Sequence, residues 1–100
     1  MEPFDPKRPT ETVTLTFDFT LDLPSPRSVQ NFSVSIEGLN AYAMDASAVL
    51  DGQPAIQGNY ILQRVKGGTA GGKYALVATI IRDDDEVRDL SSTISVVRWN

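Results

Sequence analysis

A strict alternation of apolar and polar side chains between Thr12 and Leu23 is the feature that most constrains the fold. A period of two places successive side chains on opposite faces of an extended chain, whereas a helix repeats about every 3.6 residues. The segment therefore predicts an amphipathic strand, which ends at Pro24 because proline cannot donate to a sheet ladder. The apolar positions of this strand are Val13, Leu15, Phe17, Phe19, Leu21 and Leu23.

Short apolar runs separated by turn residues follow along the rest of the chain. Further strands are predicted over residues 31–36, 55–57, 59–65, 74–82 and 87–98. An irregular stretch followed by a short strand is expected over 41–50, with a helical turn as the alternative. The connections at 66–73 and 83–86 are rich in glycine and in acidic residues, respectively. About seven short strands, frequent turns and no strong amphipathic helix are typical of an all-β, immunoglobulin-like β-sandwich.

Three prolines within the first ten residues separate the N-terminus from this pattern. Each proline fixes its own φ angle and biases the preceding residue away from helix. We therefore expect an extended N-terminal arm over 1–11, the sandwich over 12–98 and a C-terminal tail over 99–100. An arm of this composition is expected to be mobile alone and to order against a partner; a frayed terminus is the alternative.

The chain contains no cysteine and no histidine, which excludes most catalytic chemistry. Thiolate nucleophiles, Ser-His-Asp triads and the usual zinc sites all need one of these residues. A pair of carboxylates is the remaining catalytic arrangement, and no sequence feature singles one out. We expect no enzymatic activity, no cofactor and no metal. The net charge of −4 disfavours binding to nucleic acid or to an anionic membrane.

Two segments match binding motifs only superficially. Residues 67–73 fit the spacing of a phosphate-binding loop, but Tyr74 stands where Ser or Thr is needed, and a strand is predicted where a helix should follow. The acidic run 83–86 lacks the glycine and the later glutamate of a calcium loop. We interpret it as a solvated hairpin tip, with a weak cation site as the alternative.

The residues expected to contact a partner lie in the arm, in the glycine-rich connection and at the C-terminus. Arginine and tryptophan are enriched at binding hot spots, and glycines permit an adaptable loop. An ordinary hairpin tip beside an exposed arginine, and a tryptophan packed on its own domain, are the alternatives. The candidate contact residues are Pro3, Phe4, Pro6, Lys7, Arg8, Pro9, Arg64, Gly67, Gly68, Thr69, Arg98 and Trp99.

Several short segments together resemble the phage fiber–tail adaptor proteins. The most specific is Gln63-Arg64-Val65-x-Gly67-Gly68-x-Ala70-Gly71-x-x-Tyr74. The others are Lys7-x-Pro9-x-Glu11, Phe17-Asp18-Phe19, Asp45-Ala46-Ser47, Leu50-Asp51-Gly52 and Ile56-Gln57-Gly58. The resemblance covers roughly residues 7–97, and the last three residues extend beyond it.

The resemblance implies a non-enzymatic virion component that links tail or neck proteins to tail fibres. Its expected partners are those proteins, bound by several copies arranged in a symmetric ring. The expected location is the virion, after synthesis in the bacterial cytoplasm without a signal peptide. A small carbohydrate-binding or surface-adhesion β-sandwich is the alternative, although such modules normally display clustered aromatic side chains.

Overall fold

Two antiparallel sheets of three strands each are the main elements of the computed structural model, which describes residues 2–98. The strands are β1 (Val13–Asp18), β2 (Val29–Gly38), β3 (Ala55–Gln57), β4 (Tyr60–Val65), β5 (Lys73–Arg82) and β6 (Val87–Ser95). A 3-10 turn at Thr20–Asp22 and a single-turn helix α1 at Ala46–Val49 complete the elements. The expectation of an all-β fold is confirmed.

The order of the strands shows that the chain passes repeatedly between the sheets. One sheet has the order β1-β4-β3, and the other has the order β2-β5-β6. Only the β3–β4 and β5–β6 connections join neighbours within a sheet. The remaining three connections cross, so the glycine-rich segment between β4 and β5 carries the chain from one sheet to the other.

Alternating side chains from both sheets form a single core. β1 contributes Leu15 and Phe17, and every second residue of β5 is buried from Tyr74 to Ile80. The outward positions of β1 carry threonines and aspartate, as the alternation predicts. The remaining buried apolar residues are Phe19, Leu23, Ala43, Val49, Ile61, Val65, Ile94 and Val96.

Two local predictions were wrong. β1 ends at Asp18, whose carboxylate accepts the Thr20 N–H at 2.9 Å, and the chain turns there instead of continuing as a strand. Leu21 consequently points away from the core and is 96% exposed. Residues 46–49, expected to be irregular, form α1 because buried Val49 anchors the turn.

The molecule is elongated, with dimensions of 44 × 23 × 22 Å, and its two ends differ in chemistry. We call the end formed by residues 39–45, 66–72 and 96–98 the loop end. The opposite end, formed by 20–27 and 83–86, is called the acidic end. The antiparallel registers place both ends unambiguously, since Lys73 lies opposite Ser95 and Ile81 lies opposite Val87.

Candidate binding surface

The glycine-rich connection is organised around the side chain of Tyr74, the first core residue of β5. The Tyr74 hydroxyl donates to Asp45 Oδ1 at 2.7 Å and accepts the Thr69 N–H at 3.0 Å. Burial of the ring raises the pKa of Tyr74, which keeps the hydroxyl protonated as a donor. One hydroxyl thus connects the 66–72 segment with the residue that precedes α1.

Two of the glycines in this segment are required by close packing. A Cβ at Gly72 would lie 2.9 Å from the Tyr74 hydroxyl and 2.8 Å from the Thr69 carbonyl oxygen. Gly68 has φ +91°, and a Cβ there would lie 2.7 Å from Val96 Cγ2. Side chains at these two positions would displace the buried groups beneath them. These two glycines are therefore needed for the close packing of the loop on Tyr74 and Val96, in addition to the adaptability expected of a glycine-rich loop.

Lys7 fixes the N-terminal arm to the same loop. Its side chain is 1% exposed, and its ammonium donates to the Arg8 carbonyl at 2.8 Å and to the Gly67 carbonyl. The Lys7 backbone donates to the Ser95 carbonyl at 3.0 Å and accepts the Val97 N–H at 2.8 Å. Burial lowers the pKa of Lys7. Lys7 therefore makes its side-chain contacts within its own chain, and its contact with a partner stays a prediction.

The rest of the arm lies along β6. The Phe4 N–H donates to the Thr93 carbonyl at 2.9 Å, and the Phe4 ring meets the edge of Phe17 at 5.4 Å between centroids. Phe4 thus packs against the core of its own domain rather than projecting as a free anchor. Residues 4–7 of the arm hydrogen-bond and pack against this chain, and the ordering of the arm by a partner stays a prediction.

The remaining arm candidates have different environments. Pro3 and Pro6 are exposed, whereas Arg8 and Pro9 are half-buried. The Arg8 guanidinium pairs with the Glu11 carboxylate at 3.0 Å, and Glu11 also accepts the Arg8 N–H at 2.6 Å. This local pair closes the turn between the arm and β1.

Arg64 contacts a different turn from the glycine-rich connection. It is exposed on β4, and its guanidinium lies 3.6 Å from the Asp51 carboxylate, which also lies 3.8 Å from the Lys66 ammonium. The neighbouring Gln63 is buried and donates to the Gly52 carbonyl at 3.1 Å. The conspicuous Gln-Arg pair thus contacts the 51–52 turn.

The loop end carries three exposed apolar side chains that sequence reasoning missed. Tyr42 is 62% exposed and Met44 is 92% exposed, and Leu39 is also exposed. The Asn40 amide donates to the Gly71 carbonyl at 3.0 Å, which holds this segment beside the glycine-rich connection. These residues follow β2 with neither a period of two nor a helical period, so no pattern identifies them. Their only sequence signal is three large apolar residues within six positions.

Arg98 adjoins this apolar segment. Tyr42, Ala70, Gly71 and Arg98 line a shallow depression of about 290 Å³. The structure therefore brings the candidates Gly67, Gly68, Thr69 and Arg98 to the loop end, together with Leu39, Tyr42 and Met44. Trp99 lies outside the described residues.

Three arginines pair with carboxylates at the acidic end. The Arg82 guanidinium lies 2.7 Å from the Asp84 carboxylate, and hydrogen bonding to Arg82 lowers the pKa of Asp84 to about 2. Arg27 lies within 3.6 Å of both Asp83 and Asp84, and Arg88 lies 3.1 Å from Glu86. Within residues 2–98, no cluster of three acidic side chains is arranged to hold a metal ion.

No protein-family model matches the chain, and no curated protein matches it significantly. In the part of the chain that the structure describes, no helix has the length and apolar character needed to cross a bilayer.

Proposed function

We propose that this protein is a non-enzymatic adaptor of a tailed-phage virion, which binds neighbouring tail or neck proteins through its loop end. The observation that carries the proposal is a loop-end segment with three exposed apolar side chains, Leu39, Tyr42 and Met44, of which Tyr42 lines a depression together with Arg98. Exposed apolar side chains grouped on one surface mark interaction sites, and tyrosine and arginine are frequent binding hot spots. The phage assignment itself rests on the sequence resemblance.

We also propose that the two sheets form an immunoglobulin-like β-sandwich. Support comes from the strand orders β1-β4-β3 and β2-β5-β6, which correspond to B-E-D and C-F-G of that fold. The parallel bridge between Lys7 and Val96 would then place the arm where a first strand meets the last. Tyr74 stands near the start of the strand equivalent to F, and its hydroxyl bonds to upstream backbone, as a tyrosine corner does.

Within residues 2–98 the two exposed aromatic side chains lie far apart, which favours an adaptor over the carbohydrate-binding alternative. Tyr42 lies at the loop end, whereas Tyr60 lies opposite Asp18, toward the acidic end. A sugar-stacking platform needs aromatic faces side by side. A protein partner needs only one or two anchors surrounded by polar contacts.

The test is incorporation into particles. A phage lacking this gene is complemented with the natural chain, with Tyr42→Ser/Met44→Ser, or with Leu21→Ser, which removes an equally exposed apolar side chain at the other end. We expect mass spectrometry of purified virions to find the natural and Leu21→Ser chains, and to find the double variant strongly depleted.

Each part of the proposal has its own contradicting result. Virions without the natural chain would refute the phage role. Normal incorporation of the double variant would refute the loop end as the contact. Binding of the purified domain to a glycan array, abolished by Tyr42→Ser, would establish the carbohydrate-binding alternative instead.

A further inference from the structure

β2 is a long edge strand with little protection against pairing. It has ten residues and pairs only with β5 within residues 2–98. Edge strands are usually protected by lysine, proline or short length. β2 contains no proline, lysine or arginine, and Glu37 is its one charged residue. The arm covers part of the opposite edge of the same sheet, at β6, whereas no described segment other than β5 forms a ladder with β2, although α1 packs beside this strand.

The hydrogen-bonding pattern shows which backbone groups face outward. The Leu39 N–H donates to the Lys73 carbonyl at 2.8 Å, which continues the register of Gly38 opposite Tyr74. Because hydrogen-bonded pairs alternate in an antiparallel ladder, the N–H and C=O groups of Phe32, Val34 and Ile36 point away from β5. The Phe32 N–H accordingly bonds to the Asn31 side chain, at 2.8 Å, and not to β5.

The regular part of this edge has defined limits. An irregularity between Val29 and Asn31 interrupts it at one end. At the other end, Ala43 packs so closely on Gly38 that a Cβ there would lie 2.1 Å from the Ala43 carbonyl oxygen. The available segment is therefore 31–37, and its midpoint is Val34, an outward-bonding residue.

We propose that a second copy of this chain pairs with β2 in antiparallel orientation, about a two-fold axis at Val34. This register matches chemistry at each position. Phe32 meets Ile36 of the second copy on the core side, and Ser33 meets Ser35 on the outer side. Asn31 lies opposite Glu37 of the second copy. The Asn31 amide can donate to that carboxylate once the Asn31 side chain no longer accepts the Phe32 N–H.

The sequence of β2 suits a second copy as the occupant, because the register about Val34 matches apolar with apolar and polar with polar positions and brings no like charges together. The single carboxylate of each strand lies opposite an amide and far from its symmetry mate, so pairing creates no like-charge contact. Both strands contribute outward-pointing groups at the same positions, which makes the edge self-complementary. The result is a continuous sheet of six strands. The pairing is independent of the proposed phage role and uses a different surface from the loop end.

The test is the mass of the purified full chain in solution, measured by sedimentation equilibrium over a range of concentrations. We expect a reversible monomer–dimer equilibrium. Ser33→Lys/Ser35→Lys would place lysine opposite lysine twice and weaken dimerisation about tenfold or more. Ser33→Lys/Ser35→Glu would place lysine opposite glutamate twice and restore it. Thr16→Lys/Ser91→Lys adds the same charge at exposed strand positions elsewhere and is the matched control.

The charge-swapped variant makes the test specific for the register. If the two-fold axis lay at Ser33 instead, the lysine introduced at position 33 would face the same lysine of the second copy. The charge-swapped variant would then fail to restore dimers. A natural chain that stays monomeric, a larger ring, or failure of the swap to restore dimers would overturn the proposal. Circular dichroism at dilute concentration verifies that each variant is folded.

Discussion

Replacing Tyr74 with phenylalanine isolates the contribution of one buried hydroxyl. The ring stays in place, but the hydrogen bonds to Asp45 and to the Thr69 N–H are lost. A hydrogen bond to a charged group contributes about 1.5–3 kcal/mol, and a neutral one about 0.5–1.5 kcal/mol. Asp45 and Thr69 can both recover water, so we take the lower limits. The expected loss of unfolding free energy is about 2 kcal/mol.

Thermal unfolding followed by circular dichroism measures this loss. For a domain of this size, about 2 kcal/mol corresponds to a fall in the melting temperature of roughly 8–16 °C. Tyr42→Phe removes the same hydroxyl from an exposed ring and should change stability by less than about 0.5 kcal/mol. Because Asp45→Ala breaks the same bond, its effect and that of Tyr74→Phe should be strongly non-additive in the double variant.

The reasoning fails if Tyr74→Phe and Tyr42→Phe unfold at the same temperature. It also fails if Asp45→Ala and Tyr74→Phe are simply additive, since the two side chains would then stabilise the fold independently. Either result would mean that the loop is held by its backbone contacts and glycines alone.

Other substitutions test the contacts around the two ends. Gly72→Ala should lower the unfolding free energy by about 1–3 kcal/mol in chemical denaturation, because the added Cβ would crowd the Tyr74 hydroxyl and the Thr69 carbonyl. An equal loss in the Tyr74→Phe background would show that the hydroxyl is not the obstacle. Lys7→Ala should destabilise the protein more than Lys7→Met, which keeps the buried stem but removes the ammonium. Equal losses from the two variants, which both lack the ammonium, would show that its hydrogen bonds rather than the packing of the stem stabilise the fold. The lowered pKa of Asp84, about 2 against 3.8, stabilises the fold above pH 4, and that contribution disappears as the pH falls to 2. Asp84→Asn should therefore flatten the loss of melting temperature over that interval, and an unchanged acid profile would exclude the pair with Arg82 as its cause.

The strands could be predicted because their signal is local. Phe17 and Phe19 are buried, as the alternation indicates. The same pattern wrongly predicted that Leu21 lies in the core. The Asp18 carboxylate accepts the Thr20 N–H, and the chain turns before it reaches Leu21. Alternation reports which residues could share a face. It does not report where the chain stops being extended.

The candidate surface was predictable only in part because its contacts join distant segments. Tyr74 and Asp45 are 29 residues apart, and the carbonyl that receives the Lys7 ammonium is 60 residues away. A lysine among prolines is expected to face solvent, and only the assembled fold offers it buried acceptors. The glycine motif was identified from sequence, but its packing role depends on the position of the Tyr74 ring.

The docking of the arm beside β6 also determines when this chain can finish folding. The Ser92 hydroxyl bonds to the Glu2 carbonyl across 90 residues, and the Lys7 backbone bonds to residues 95 and 97. Residues 2–7 therefore cannot make these hydrogen bonds until residues 92–97 have been synthesised. Contacts of such long sequence separation slow folding, because the chain entropy is lost before the contacts form. During synthesis, Phe4 and Lys7 remain without their partners until the final strand has emerged.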